Sequence, residues 1–245
     1  MKKELKELDQ LKDQLNELRG LQSGKVARAF DIEYTYESNK IEGNTLTLQE
    51  TALVIEKGLT VGGKTLNEHL EAVNHVYAID YIKELAKEKQ GITERDILQI
   101  HSLILKGIDN GNAGQYRKVQ VLISGAKHVP PQPYLVPKRM EDLVIWYKEN
   151  KDRLHPVVMS AEMHERLVTI HPFIDGNGRT ARLLMNLILL QNGYPIAILK
   201  GDVESRLQYY NALEEAQTGN SKQPFIDLII GNVKRTMQRI INTIV

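Results

Sequence analysis

The 245 residues suffice for one large domain or two small ones, and 32 Lys and Arg set against 31 Asp and Glu leave a formal net charge of +1, which removes any bulk electrostatic case for a nucleic-acid partner. There is no cysteine, which excludes disulfides and thiolate metal sites and suits a reducing compartment. No apolar run approaches the roughly 18 residues of a membrane span and Met-Lys-Lys-Glu begins no signal core, so a cytoplasmic protein without a membrane partner is expected.

Leu5, Leu8, Leu11, Leu15 and Leu18 recur at threes and fours among Lys and Glu, which predicts an amphipathic helix from Met1 to Arg19 that stops at Gly20, an N-terminal unit of residues 1–24. Residues 25–245 are expected to form one domain. Its first helix, over about 25–44, carries Val26, Phe30, Tyr34 and Ile41 on one side and ends at Gly43-Asn44, with an acid, Glu42, where the helix dipole prefers a base. Thr47 and Glu50 predict a capping box at the start of a helix to about Gly58. Asn67 to Glu88 predicts a long helix, and Thr93-x-x-Asp96 starts another. His69, His75 and His101 fall in these helices, where lone histidines are packed or surface residues more often than ligands, and no chemistry is assigned to them.

Between 114 and 137 the period changes. Val119, Val121 and Ile123 alternate with polar neighbours, Ser124-Gly125-Ala126 reads as a turn, and Pro130, Pro131, Pro133 and Pro137 forbid a helix, so a β-hairpin is expected. Helices follow over Lys138 to Lys148 and Pro156 to Ile170. After a break at Asn192-Gly193-Tyr194-Pro195, two more are predicted, Asp202 to Gln217 and Pro224 to Val245. The expected fold is a single, mainly α-helical domain with one hairpin.

The stretch His171-Pro-Phe-Ile-Asp-Gly-Asn-Gly-Arg-Thr-Ala-Arg182 concentrates the chemistry. Pro172 ends the preceding helix at His171. Gly176 and Gly178 bend the chain and bring backbone N–H groups near a ligand at the start of an apolar helix whose free amides and positive end favour an anion. Arg179 and Arg182, three apart, reach the same side, which suits a polyphosphate. Asp175 beside phosphate oxygens is a magnesium site, and His171 is the residue placed to take a proton near neutral pH. The combination describes transfer of a phosphate-linked group to a hydroxyl.

At every defined position this stretch resembles the signature of Fic-domain proteins, His-x-Phe-x-Asp/Glu-Gly-Asn-Gly-Arg-x-x-Arg. The resemblance implies a helical Fic fold with a β-hairpin flap over the active site, and an enzyme that moves AMP from ATP to a Ser, Thr or Tyr hydroxyl of a target protein, the chain itself being one candidate target. It makes His171 the base and Asp175 the magnesium ligand. Gly176, Asn177, Gly178 and Arg179 become the phosphate cradle, and Arg182 the contact to the terminal phosphate. The related Doc-like kinases carry lysine where Gly178 stands, so glycine favours AMP transfer. Ser38-Asn39-Lys40-Ile41-Glu42-Gly43 is similar to the inhibitory motif Ser/Thr-x-x-x-Glu-Gly/Asn of many Fic proteins, which implies that Glu42 pairs with Arg182 and takes it from ATP. Gly114-x-x-Arg117 and His128-Val-Pro-Pro131 resemble the flap, which implies that Lys127 and His128 lie near the nucleotide. Tyr210 and Gln217 are expected at the adenine, with Tyr209 equally well a core residue. Relatives with an N-terminal inhibitory helix often self-associate, so a homo-oligomer is possible.

Alternatives stay open at this point: a hydrolase that removes AMP, a transferase of UMP or phosphocholine, or a helical interaction module that senses ATP. A metal hydrolase built on His164, His171 and Glu165 lacks the two-His helix motif and leaves the Gly-Asn-Gly turn unexplained.

Overall fold

A helix buried on nearly every side must be surrounded by others, and Asn177–Gln191 is such a helix, with Leu183, Leu184, Leu187, Ile188 and Leu189 buried along with Arg179, Arg182 and Asn186. In the computed structural model, which describes residues 1–18, 20, 23–88 and 90–244, it is one of ten α-helices among the described residues. They are α1 (Lys2–Leu18), α2 (Gly24–Ile41), α3 (Leu48–Lys57), α4 (Leu66–Glu88), α5 (Glu94–Leu105), α6 (Val136–Asn150), α7 (Pro156–Ile170), α8 (Asn177–Gln191), α9 (Val203–Gln217) and α10 (Gln223–Ile244). Helices α2, α4, α5 and α7 pack directly on α8, while α1 lies along α10 and sends Leu8 and Leu15 into the same core. No described helix is long and apolar enough to cross a membrane. The helix ends predicted at Arg19 and Val245 lie outside the described residues.

Local signals set the helix starts as the sequence suggests. Thr47 with Glu50 and Thr93 with Asp96 form reciprocal capping boxes, and Asp202 caps α9 through Ser205 N. Helix α2 is bolted to its surroundings along its length. Lys83 Nζ reaches Asp31 Oδ1 at 2.6 Å, Thr35 meets buried His75 at 3.2 Å, Arg239 grips Glu33 with both terminal nitrogens, and Gly201 N–H donates to Glu37 at 2.7 Å.

The β-hairpin expected over 114–137 does not form; among the described residues there is no strand. Residues 115–132 instead make an irregular loop that runs into a short 3-10 turn, Pro133–Leu135, before α6. The physical reason lies in the residues that would build the ladder. Pro130 and Pro131 have no N–H to donate. Their carbonyls, and that of Val119, are taken by side chains: Arg117 Nη1 donates to Val119 O at 3.0 Å, Arg117 Nη2 to Pro131 O at 2.5 Å, and Gln120 Nε2 to Pro130 O at 2.9 Å. Alternation of apolar residues detected an extended chain but not the groups that satisfy it.

Candidate active site

Helix α7 ends on His171, whose N–H caps Leu167 O at 2.9 Å. At φ 50° and ψ 59° His171 is the one non-glycine with positive φ among the described residues, an uncommon conformation for a side-chain-bearing residue. The following proline discourages a right-handed helical turn there. The left-handed alternative is held because Arg117 Nε donates to the His171 carbonyl at 2.8 Å and Arg117 N to Pro172 O at 2.9 Å. Beyond the proline, the turn closes on itself. Phe173 N donates to Asn177 Oδ1 at 3.0 Å, Asn177 Nδ2 returns to Phe173 O at 2.9 Å, and Gly176 N donates to Asp175 Oδ1 at 2.6 Å. Gly176, at φ 76°, is the left-handed residue from which α8 starts.

A cavity of 490 Å³ opens above this turn and is lined by His171, Asn177, Gly178 and Arg182. Glu42, Tyr210 and Gln217 close other walls, and the tip of the 115–132 loop, Ile123 to Ala126, forms a further one. The His171 ring lines the cavity with its Nδ1 buried. Burial pushes the His171 pKa down to about 4, against the pull of the Val168 carbonyl. The imidazole is therefore neutral at physiological pH and able to accept a proton.

Arg182 is 1% exposed, yet three of its contacts come from one segment of α2 and its end: Nε donates to Ser38 Oγ at 3.0 Å, Nη2 to Ser38 O at 2.9 Å and Nη2 to Glu42 Oε1 at 2.6 Å. Burial works hardest against its charge, but Glu42, Tyr209 and Tyr34 together outweigh it and the pKa is pushed up. Nη1 is buried with no partner. The Glu42 carboxylate lies directly over Gly178, where an added Cβ would stand 2.3 Å from Oε1. Gly43, at φ 100°, lets the chain leave the helix at once. Arg179, 2% exposed, is equally occupied: Nη1 meets Glu71 Oε1 at 3.0 Å and Nη2 meets Asp175 Oδ2 at 3.0 Å. Asn44 Nδ2 donates to the other Glu71 oxygen at 2.8 Å. The end of α2 thus bears on both arginines, on Arg182 through Glu42 and on Arg179 through Asn44 and Glu71.

Of the remaining residues singled out from the sequence, Tyr210 is 40% exposed at the cavity and its hydroxyl donates to Ile41 O at 3.3 Å, while Tyr209 is buried with its hydroxyl 3.1 Å from His164 Nε2. The Lys127 side chain points to solvent, 3.5 Å from Glu214. His128 Nε2 donates to Thr169 O at 2.8 Å and lines a second cavity, of 540 Å³, with Trp146 and Arg166. Gly176, Arg179 and Asp175 are not among the residues that line the first cavity.

Three residues that support the site were not found by sequence reasoning. Arg117 was visible only as part of Gly114-x-x-Arg117. Glu71 is one of many acids on a helical surface. His101, whose Nε2 lies 3.0 Å from Asp175 O, reads as an ordinary core histidine.

Magnesium takes few protein ligands and completes its shell with phosphate oxygens and water. The residue with the chemistry for that habit is Asp175, whose side chain is 63% exposed beside the start of α8 and whose oxygens accept from Gly176 N and Arg179 Nη2.

Comparison with protein families matches residues 91–189 to the Fic/DOC family. A solved Fic domain containing signaling protein from Bacteroides thetaiotaomicron superposes with a TM-score of 0.87 at 30% identity, covering 98% of this chain and 96% of that one. The chain belongs to the Fic/DOC family. A second Fic structure, Fic-1 (residues 134–508) from C. elegans, gives a TM-score of 0.87 at 34% identity over 99% of this chain and 72% of that one. Among curated relatives, the protein adenylyltransferase Fic of Drosophila grimshawi is 37% identical over 233 residues, 94% of this chain but 47% of the relative. The chain spans about half the length of the curated Fic proteins it matches.

Proposed function

We propose that this chain is an autoinhibited protein adenylyltransferase that moves AMP from ATP to a hydroxyl side chain of a target protein. The observation that carries this reading is a neutral imidazole, His171, opening onto a cavity floored by a helix start and a buried arginine whose anion site is filled by the chain's own Glu42. The name of the relatives matching 94% of the chain supports it. In the reaction the target hydroxyl oxygen attacks the α-phosphorus as its proton passes to His171 Nε2. The bond between the α-phosphorus and the bridging oxygen breaks, and pyrophosphate leaves. Backbone amides of Gly176 to Gly178 hold the phosphates, Arg179 orients them, and Arg182 receives the terminal phosphate. Tyr210 and Gln217 stand where the base would lie. Asp175 would hold magnesium, which when bound offsets charge on the phosphates.

Glu42 blocks this pose because a carboxylate and a phosphate oxygen cannot share Arg182 and the bare face of Gly178. Replacing Glu42 by Gly frees both. With α-labelled ATP and magnesium, Glu42→Gly is expected to raise label fixed on protein, the chain itself included, by at least about ten-fold. Adding His171→Ala should then lower it by roughly 100-fold or more, the usual contribution of a positioned general base. Absence of protein-bound label in Glu42→Gly would overturn AMP transfer. Label that survives His171→Ala would remove the role of the imidazole.

A further inference from the structure

His101, on α5, is fully buried and has no part in the steps above. Gly114 N–H donates to its Nδ1 at 3.0 Å, so that nitrogen is the acceptor and the ring proton sits on Nε2, which donates to the Asp175 carbonyl at 3.0 Å. The ring lies flat on Phe173, with centroids 3.6 Å apart and planes within 5°, and an added Cβ on Gly176 would come within 3.3 Å of Cδ2. Its tautomer, position and tilt are fixed by two separate segments, the root of the loop at Gly114 and the turn from Phe173 to Gly176.

The carbonyl that His101 holds belongs to the same peptide unit as the Gly176 N–H, and in a planar trans peptide the two point in opposite directions. With the carbonyl turned in to His101, the N–H turns out, where it now meets the half-exposed Asp175 carboxylate. A glycine at φ 76° tolerates the reverse orientation almost as well. Reversed, the peptide would bury its N–H and present a carbonyl oxygen to an incoming phosphate. A fixed N–H donor behind the peptide disfavours that flip, because the inward group must then be an acceptor.

We propose that His101 is a positioning residue that locks the Asp175–Gly176 peptide with its N–H outward, so that the start of α8 is ready for an anion, and that couples this peptide through Gly114 to the root of the 115–132 loop. The inference rests on the nucleotide site proposed above. It makes α5, which contributes nothing to the cavity lining, part of the phosphate grip.

Two substitutions divide the two bonds. Asn places an amide near the old Nδ1 position, so His101→Asn keeps an acceptor for Gly114 and loses the donor to Asp175. Gln places one near the old Nε2 position, so His101→Gln keeps the donor and loses the acceptor. In the Glu42→Gly background, titration calorimetry with ATP and magnesium is expected to find His101→Gln within about three-fold of its parent and His101→Asn weaker by about ten-fold or more, with similar melting temperatures. The Gly176 amide resonance, read without ligand, should move in His101→Asn and stay in His101→Gln. Equal ATP affinity in both variants, or losses that follow the melting temperature alone, overturns the proposal. A parent that binds no ATP sinks the nucleotide reading; the Gly176 resonance then still decides the positioning role, which falls if that signal is unmoved in both variants.

Discussion

Two segments meet across the cavity, and they are held in opposite ways. The turn from 171 to 182 closes through its own residues, Asn177 to both sides of Phe173 and Asp175 to Gly176. The loop from 115 to 132 has a tip turn closed by Ala126 N donating to Ile123 O at 3.1 Å, and its limbs are joined by Arg117 and Gln120 side chains. The turn is closed mainly by its own residues and braced from outside by Arg117 and His101, whereas the loop depends on one guanidinium that enters it from its root. The first kind of structure survives most single changes nearby. The second can be undone at one residue.

Acid attacks the side of the turn. Burial lowers His101 and His171 to about 4, His75 and His164 well below the ordinary 6.5, and His155 to a lesser degree. All five are on or at the ends of the helices that carry or back the turn. Their folded pKa values lie below the unfolded value, so the unfolded chain binds more protons as pH falls, and the stability present above about 6.5 is lost on the way to 4. The loss is up to about 1.4 kcal/mol per pH unit for each histidine that gains its proton only on unfolding. Urea melts at stepped pH should show a steep fall in midpoint between these limits; a flat profile would contradict the buried neutral state.

Arg117→Ala tests the loop. It removes the donor to three carbonyls, those of His171, Val119 and Pro131, and no carboxylate among the described residues lies within ion-pair distance of Arg117. A cost of about 2–4 kcal/mol is expected, with proteolysis newly concentrated in residues 118–131. Cleavage spread evenly over the helices would mean that Arg117 supports the whole fold. The smallest effect is at the loop tip. Lys127 is 82% exposed where it faces Glu214, so Lys127→Ala should change stability by less than about 0.5 kcal/mol, and the change should vanish in high salt.

The same contrast explains what the sequence made legible. The 171–182 turn could be read because proline, glycine and the helix start act within a few residues, and the pairing of Glu42 with Arg182 followed from a motif and opposite charges. The helices followed from apolar spacing and caps. The loop between 115 and 132 was read as a hairpin because apolar alternation is shared by strands and by any extended chain; what decides between them is which partner takes each carbonyl, and that partner was a side chain. His75 and His101 were readable only as packed or surface residues, and His164 only as a metal ligand set aside, since their bonds run to Thr35, Asp175 and Tyr209 on other elements. Glu71, which pairs with Arg179 across 108 positions, left no trace in local pattern.

The bare hydrogen at position 178 has one last consequence. The Glu42 carboxylate rests against it in the present structure, and in the proposed active state a nucleotide's oxygens would occupy the same small space. A single methyl there would evict the stop and obstruct the substrate together. On the proposed reading, the chain would be switched on by removing the occupant of this seat and not by enlarging the seat.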